Sequence, residues 1–201
     1  MLEKAPEILD DFESDVLDPV YVARLAARVE KYKGLSPLNE TREGKKLLVL
    51  DIDYTLFDHR TPGENAQELA RPYLHDFLSS AYKRYDIVIW SATSMLWVKT
   101  KMQELGVLSH PSYKILALVD SGSMITVQTK ERGIFNCKPL GWIWAQPWSQ
   151  ERGYDSSNTI MFDDLRRNFA MNPSSGLKIK PFRNAHTSRA TDNELKKLKV
   201  Y

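Results

Sequence analysis

Two aspartates stand two residues apart at the end of an apolar run, a spacing suited to nucleophilic and acid–base chemistry. Residues 46–51 end in Asp51, and Asp53 follows one step into the next loop. Because Asp51 continues the run, it can present a carboxylate oxygen to a phosphorus atom, while Asp53 can reach the leaving oxygen as an acid. Thr55 is expected to pin this loop by local hydrogen bonds. The segment therefore predicts a nucleophile and a general acid side by side.

Polar residues also follow two other apolar runs. Ser91 comes after residues 86–90, and Asp163 and Asp164 close a third run. In open α/β sheets, ligands bind beyond the carboxyl ends of the strands. We therefore expect these side chains to converge with Asp51 on one site.

A cluster of carboxylates needs positive charge. Asp51 and Asp163 offer hard oxygen ligands that suit Mg²⁺, and ionised carboxylates repel one another unless a cation neutralises them. Ser91 offers a hydroxyl to a phosphoryl group, and Lys138 offers a compact positive charge. The pattern predicts a magnesium-dependent site that handles phosphoryl groups.

The apolar runs and the segments between them indicate an α/β fold. Residues 46–51, 86–90 and 159–163 have the continuous hydrophobicity of strands that are buried on both faces of a parallel sheet. Helical patterns cover about residues 72–82 and 94–105. Alternating strands and helices predict a doubly wound, mostly parallel sheet flanked by helices.

The chain divides into two expected parts. Asp18 and Pro19 open a helical stripe that Gly34 closes, so residues 1–44 are expected to form an N-terminal helix and a linker packed on the core. Residues 45–201 are expected to form the main domain.

A small insertion is expected inside the main domain. Residues 113–119 and 125–129 have the composition of two strands. The turn-rich residues 120–123 between them favour a tight connection. We therefore predict a β-hairpin insertion over about residues 113–129.

Composition excludes several classes of protein. The 201 residues carry 28 basic and 26 acidic side chains, and the formal charge of +2 favours neither nucleic acid nor a membrane surface as a partner. No run approaches the roughly 18 apolar residues that span a bilayer, and the acidic start is unlike a signal peptide. The single cysteine, Cys137, cannot form an internal disulfide, so we expect an intracellular protein.

At these residues the chain resembles the haloacid-dehalogenase-like phosphatases, whose four ordered motifs correspond to residues 51–55, Ser91, Lys138 and Asp163-Asp164. Within that superfamily, it is similar to the phosphatases of the RNA polymerase II C-terminal domain. The similarity is greatest to the branch with a ubiquitin-like domain and spans about residues 44–180. No ubiquitin-like domain stands in this sequence, so the resemblance implies a catalytic domain alone. The segments that carry it are residues 49–60, 87–93, 138–141 and 161–164.

The resemblance implies a haloacid-dehalogenase-like fold without a large cap domain and a reaction in two steps. Asp51 would attack phosphorus, Asp53 would protonate the departing oxygen, and an aspartyl-phosphate would form. Mg²⁺ would be held by Asp51, by the backbone carbonyl of Asp53 and by Asp163. Direct ligation by Asp164 stays open, because the small phosphatases carry asparagine at this place.

The same resemblance implies phosphoserine or phosphothreonine in proteins as the substrate. The RNA polymerase II C-terminal domain and proteasome subunits are the implied examples, with a nuclear location and a further cytoplasmic one. An open site would fit such substrates. Only 35 residues separate Thr55 from Ser91, which is too few for a lid domain.

Two other functions fit some of these features. One is a small-molecule phosphatase or phosphomutase with the same nucleophile, which the missing lid disfavours. The other is a non-catalytic phosphoprotein-binding module, which the presence of both loop aspartates disfavours. A calcium loop is excluded because Leu56 and Pro62 stand where glycine and glutamate are needed. Ile143, not arginine, stands six residues after Cys137, which argues against a cysteine phosphatase.

Overall fold

The computed structural model describes residues 18–32, 34–130 and 132–198. Its helices are α1 (Pro19–Lys31), α2 (Ala66–Leu69), α3 (Leu74–Tyr82), α4 (Met95–Glu104), α5 (Leu140–Trp144), α6 (Pro147–Arg152), α7 (Ala185–Ser188) and α8 (Glu194–Leu198). Its strands are β1 (Lys46–Leu50), β2 (Tyr85–Trp90), β3 (Ile115–Val119), β4 (Ile125–Thr129), β5 (Gly133–Cys137), β6 (Thr159–Asp163) and β7 (Gly176–Lys178). None of the described helices has the length and apolar character needed to cross a membrane.

Five strands form one sheet in the order β3, β2, β1, β6, β7. Every neighbouring pair is parallel. Strand β1 therefore lies in the centre, and the chain moves outward through β2 and β3 on one side and through β6 and β7 on the other. The strand order reverses between β1 and β6, which is the usual place for a ligand in such sheets. The predicted doubly wound, mostly parallel sheet is confirmed.

Both faces of the sheet are buried. Along β1, Leu48 and Leu50 pack in one hydrophobic core with α3, α4 and α8, whereas Leu47 and Val49 pack in a second core with α1, α5 and α6. Successive side chains of a strand point to opposite faces, so a strand that is covered on both sides must be apolar at every position. This explains the continuous hydrophobicity that marked the strands in the sequence.

Helix α1 is capped at its start and is attached to the rest of the domain by its buried face. Asp18 Oδ1 accepts a hydrogen bond from the amide of Val20 at 2.8 Å, and Pro19 occupies the first turn. The hydroxyl of buried Tyr21 donates to the carbonyl of Gln128 at 2.8 Å and accepts from its amide at 3.0 Å. The helix thus contacts β4, and residues 1–17 of the expected N-terminal part lie outside the described residues.

The predicted hairpin over residues 113–129 is wrong in its placement. Ile115–Val119 is β3 of the main sheet and pairs in parallel with β2. The hairpin instead joins Ile125–Thr129 to Gly133–Cys137 as an antiparallel pair. Burial explains the difference, because β3 is buried at all five positions whereas β4 alternates between buried and exposed positions. The predicted turn residues form a 3₁₀ turn, Ser121–Ser123, that leads from one sheet to the other.

Buried Arg71 ties the C-terminal segment to the loop that follows β1. Its Nε and Nη2 atoms donate to the two carboxylate oxygens of Asp192 at 2.9 and 2.8 Å. Its Nη1 donates to the carbonyl of Thr55 at 3.1 Å, and Nη2 also donates to the carbonyl of Lys180 at 2.8 Å. The side chain is fully buried. One guanidinium therefore joins three segments that are distant in sequence.

We predict that Arg71→Met lowers the free energy of unfolding by about 3 kcal/mol, because it leaves the largely buried Asp192 carboxylate without its cation. Urea unfolding measures this loss. Arg71→Lys should recover little of the unfolding free energy that Arg71→Met loses, since an ammonium cannot form the bidentate pair with Asp192. The control is Lys101→Met, which removes an exposed pair with Glu104 at 2.7 Å and should cost less than about 1 kcal/mol. Equal losses of unfolding free energy in the two methionine variants would contradict the stabilising role of the buried Arg71 side chain.

Candidate active site

The candidate site lies at the carboxyl edge of the sheet, where β1 and β6 end. Asp51 directly follows β1, and Asp163 is the last residue of β6. The strands stay paired up to this edge, since the amide of Asp51 donates to the carbonyl of Phe162 at 3.1 Å. Ser91 directly follows β2, and its amide donates to the carbonyl of Val119 at 3.0 Å. Three polar strand ends from distant parts of the sequence therefore meet at one edge.

Lys138 holds the two strand-end carboxylates together. Its ammonium donates to Asp51 Oδ1 at 2.5 Å and to Asp163 Oδ2 at 2.8 Å. The third bond goes to the carbonyl of Trp90 at 2.9 Å. The side chain is fully buried and all three of its protons are used. The predicted contact with a phosphoryl oxygen therefore requires the ammonium to exchange one of these partners.

Strand β5 of the hairpin carries the lysine to this place. Cys137 is the last residue of β5, and the amide of Lys138 then donates to the carbonyl of Asn168 at 2.7 Å. Cys137 is buried, and this burial raises the pKa of its thiol to about 12. A protonated thiol is a poor nucleophile, which agrees with the argument against cysteine chemistry.

The loop after β1 binds the second oxygen of Asp51. Thr55 Oγ1 donates to Asp51 Oδ2 at 3.0 Å. Between them Tyr54 adopts the left-handed conformation with a φ of 60°, which is uncommon for a residue other than glycine. Two backbone bonds of 2.7 Å keep it there, from the amide of Tyr54 to the carbonyl of Phe57 and from the amide of Phe182 to the carbonyl of Tyr54. The Asp51 carboxylate is thus fixed through both of its oxygens.

Asp53 has a different environment from Asp51. Its side chain is 20% exposed, compared with 6% for Asp51. Ser91 Oγ donates to Asp53 Oδ2 at 3.3 Å, and His59 Nδ1 lies 3.1 Å from Asp53 Oδ1. Burial raises the pKa of Asp53, although His59 and Ser91 oppose the shift. Asp53 therefore favours its protonated form more than a free aspartate does, and it still reaches the solvent.

Asn168 is a site residue that the sequence did not reveal. Its Nδ2 lies 2.9 Å from Asp163 Oδ1 and 2.8 Å from Asp163 Oδ2, and the amide of Leu165 donates to Oδ1 at 2.8 Å. Asn168 belongs to the 3₁₀ turn Arg166–Phe169, so no strand or helix period marks it. Its buried amide orients the carboxylate that Lys138 also binds.

His59 and Thr93 also escaped prediction. His59 contacts Asp53, and its ring is tilted by 43° against the Tyr54 ring with a centroid distance of 4.4 Å. The oxygen atoms of Ser91 and Thr93 lie 2.7 Å apart, which orients the serine hydroxyl. The position of His59 inside segment 49–60, which carries the family resemblance, is the signal in the sequence that could have marked it.

Four carboxylates face one ammonium group in this region. Burial and repulsion from Asp163 raise the pKa of Asp51, whereas the Lys138 ammonium opposes this shift. Burial raises the pKa of Asp164 to about 6, again with a contribution from Asp163. Burial disfavours the Lys138 ammonium, but Asp163 and Asp51 outweigh burial and raise the pKa of Lys138. In the close pair of Lys138 and Asp51 the proton belongs on the lysine, because all three of its protons have acceptors.

The buried carboxylates suit a divalent metal. One oxygen each from Asp51, Asp163 and Asp164 lie within 4.8 Å of one another, and all three side chains are buried. Anionic oxygen atoms are the ligands that Mg²⁺ prefers, and a cation would relieve the repulsion that raises the pKa values. Among the described residues, the carboxylate of Asp53 is not part of this group. Its expected contribution to metal binding is the backbone carbonyl.

Comparison with known proteins identifies relatives. Residues 46–201 match the family model of NLI interacting factor-like phosphatase. The ubiquitin-like domain-containing CTD phosphatase of Arabidopsis thaliana is 58% identical over 205 residues, which cover 98% of this chain and 59% of the relative. Ubiquitin-like domain-containing CTD phosphatase 1 of Drosophila melanogaster is 58% identical over 202 residues, with coverages of 97% and 62%. The solved structure of Fcp1, an RNA polymerase II CTD phosphatase, aligns with a TM-score of 0.49 at 14% identity over 92% of this chain and 52% of that one.

The family assignment rests on the sequence matches. The chain spans about three fifths of the length of the curated relatives. The matching family model covers more than three quarters of the chain, including the three strand ends and Lys138. The resemblance inferred from the motifs is therefore confirmed, and the chain belongs to the NLI interacting factor-like phosphatase family.

Proposed function

We propose that this chain hydrolyses phosphoserine and phosphothreonine in proteins through a phosphorylated Asp51. The observation that carries the proposal is the contrast between two carboxylates of one loop. Asp51 is buried and bound through both oxygens, by Lys138 and Thr55, so its position is fixed. Asp53 is partly exposed and has a raised pKa, so it can hold a proton at the mouth of the site. Such a pair suits a nucleophile and a general acid.

In the first step, a carboxylate oxygen of Asp51 attacks phosphorus, and the bond between phosphorus and the serine or threonine oxygen breaks. Asp53 gives its proton to that oxygen as it leaves. The products are the free hydroxyl side chain and an aspartyl-phosphate. Lys138 keeps Asp51 ionised for the attack, and Ser91 orients the acid by its hydrogen bond to Asp53.

In the second step, Asp53 is ionised and accepts a proton from water. The water oxygen attacks phosphorus, and the bond to the Asp51 oxygen breaks. Inorganic phosphate leaves, and Asp53 is again protonated for the next turnover. The partial exposure of Asp53 favours this role, because water can reach its carboxylate.

We propose Mg²⁺ as the cofactor, held by Asp51, by the backbone carbonyl of Asp53 and by Asp163, with Asp164 beside them. When bound, it would supply positive charge to the phosphoryl oxygens. Lys138 and Asn168 orient the Asp163 carboxylate.

The open site supports a protein substrate. Residues 56–90 form α2, α3 and β2, so no cap domain lies between Thr55 and Ser91 to enclose a small metabolite. The relatives are named CTD phosphatases, and we propose the phosphorylated C-terminal domain of RNA polymerase II as one substrate, proteasome subunits as another, and a nuclear location with a further cytoplasmic one. A panel of phosphopeptides and sugar phosphates tests this substrate class. Preference for sugar phosphates would favour a metabolite phosphatase, and binding of phosphopeptides without turnover would favour a binding module.

We predict that Asp51→Asn abolishes phosphopeptide hydrolysis and leaves the fold intact, because an amide cannot form the acyl-phosphate. Mg²⁺ with beryllium fluoride should form a stable adduct on Asp51 of the natural chain and block hydrolysis. Phosphate release and intact-protein mass spectrometry measure both effects. Asp155→Asn changes an exposed aspartate in the loop before β6, far from the carboxyl edge, and is the matched control. Inhibition by beryllium fluoride that does not depend on Asp51 would rule out the covalent route.

Asp53→Asn should lower peptide hydrolysis by about 100-fold or more, because the general acid is lost. An aryl phosphate has a leaving group that needs little protonation. With this substrate, the variant should therefore form the phosphoenzyme at a less reduced rate than it hydrolyses the phosphoenzyme. The phosphoenzyme should then accumulate, and rapid-quench measurements detect it. If both steps slow to the same extent with the aryl phosphate, Asp53 does not act as the acid of the first step.

In metal-free protein, we expect the free energy of unfolding to fall as the pH rises from 3.8, the ordinary pKa of aspartate, to about 6, the raised pKa of Asp164. An acid whose pKa is higher in the folded state binds its proton more tightly there, so its deprotonation destabilises the fold. Asp164→Asn should flatten this decline relative to the natural chain. Urea unfolding at several pH values in EDTA measures this decline. Adding excess Mg²⁺ should raise the free energy of unfolding more at the higher pH values than at the lower ones. Identical pH slopes for the two proteins would contradict the prediction.

A further inference from the structure

A small polar pocket lies beside the catalytic loop and has no part in the reaction described above. Its volume is about 130 Å³. A water molecule occupies about 30 Å³ in the liquid, so the pocket has room for a group the size of a phosphate or a carboxylate. The residues that line it include Lys180, Phe182, Arg183, Ser188, Thr191 and Lys197.

The charges around this pocket favour an anion. Lys180, Arg183 and Lys197 are exposed, and none of the three lies within salt-bridge distance of a carboxylate of the described residues. The charge of Arg183 also acts at longer range on Asp164, where it opposes the rise in pKa that burial causes. The two acids in the lining are already engaged. Asp192 is bound by the guanidinium of Arg71, and Glu194 Oε1 accepts the amide of Lys180 at 3.1 Å.

Arg183 connects the pocket with the catalytic loop. Its guanidinium lies 4.4 Å from the centroid of the Tyr54 ring, and Tyr54 stands between Thr55 and the acid Asp53. Successive Cα atoms are about 3.8 Å apart, so the Cα of Tyr54 lies within about 11 Å of the Cα of Asp51. The Arg183 guanidinium lies 4.4 Å beyond the Tyr54 ring, a total distance that an extended peptide spans in a few residues. A substrate whose phosphorylated residue sits on Asp51 can therefore bring a neighbouring residue to Arg183.

The backbone holds Arg183 in place. The carbonyl of Lys180 accepts a bond from Arg71 at 2.8 Å, and the amide of Phe182 donates to the carbonyl of Tyr54 at 2.7 Å. The amide of Ala185 donates to Asp58 Oδ2 at 2.9 Å. The fixation comes from backbone atoms and from side chains other than that of Arg183, so Arg183→Ala should leave the segment in place.

We propose that this pocket is a second anion-binding subsite for the substrate. It binds a phosphate or carboxylate group that lies a few residues from the phosphoserine that is hydrolysed. Arg183 and Lys197 supply the cations that bind it, and Tyr54 supports the Arg183 guanidinium by a cation–π contact. The inference rests on the proposed phosphopeptide hydrolysis and specifies the class of peptide that is preferred.

The test compares peptides that differ in one position. Each carries one phosphoserine and, one to four residues away on either side, a second phosphoserine, a glutamate or a glutamine. The variants are Arg183→Ala and Lys197→Ala. Their matched controls are Arg84→Ala, which lies exposed at the other end of the sheet, and Lys196→Ala, which is one residue away and lies over the Tyr73 ring.

The natural chain should hydrolyse the peptides with a second anionic group faster than the glutamine peptide. Arg183→Ala should lower that preference by about 5- to 20-fold, through KM rather than kcat, since a partly exposed charge-assisted contact is lost. The glutamine peptide and both control variants should change little. A larger effect with phosphoserine than with glutamate would identify phosphate as the group that fits the pocket better. An equal loss for all peptides, or an unchanged preference, would overturn the subsite.

Binding measurements separate this inference from the proposed hydrolysis. Asp51→Asn should still bind the doubly anionic peptides more tightly than the glutamine peptide, and adding Arg183→Ala should remove the difference. Fluorescence anisotropy of labelled peptides measures both affinities. Anion-dependent binding without any turnover by the natural chain would refute the hydrolysis and keep the subsite. Turnover without anion-dependent binding would refute the subsite and keep the hydrolysis.

Discussion

The candidate site depends on the buried ammonium group of Lys138. The parallel pairing of β1 and β6 brings Asp51 and Asp163 to the same edge, and burial makes their mutual repulsion costly. A buried lysine relieves that repulsion only when its own protons all find acceptors, as they do here. The hairpin delivers this lysine from outside the main sheet, and Asn168 anchors it there. The insertion is therefore part of the chemistry of the site.

The loop that carries both aspartates is supported from the C-terminal part of the chain. Arg71 binds the carbonyl of Thr55 and the carboxylate of Asp192, while Phe182 binds the backbone of Tyr54. The left-handed turn at Tyr54 separates Asp51 from Thr55 and lets the threonine hydroxyl return to the carboxylate. A strained turn of this kind persists only when its surroundings hold it. The loop and the C-terminal segment thus form one unit.

The sequence predicted the parts of this structure that leave a local signal. Strands that are covered on both faces are apolar throughout, and the polar residue after each strand marked the edge of the sheet where the candidate site lies. The hairpin was misplaced because strand β3 also lies between turn signals, and only pairing in three dimensions assigns it to the main sheet. Asn168 and His59 escaped because their partners, Asp163 and Asp53, are chosen by tertiary contacts and not by spacing.

The burial of Cys137 has a consequence for signalling. Peroxide inactivates thiol-based phosphatases by oxidising a nucleophilic thiolate to the sulfenic acid, and this reaction requires an accessible, ionised sulfur. Here the single thiol of the chain is buried in the hairpin and protonated, and the proposed nucleophile is a carboxylate, which this oxidation does not affect. Dephosphorylation by such a site would continue during oxidative stress, when thiol-dependent phosphatases are inactivated by oxidation.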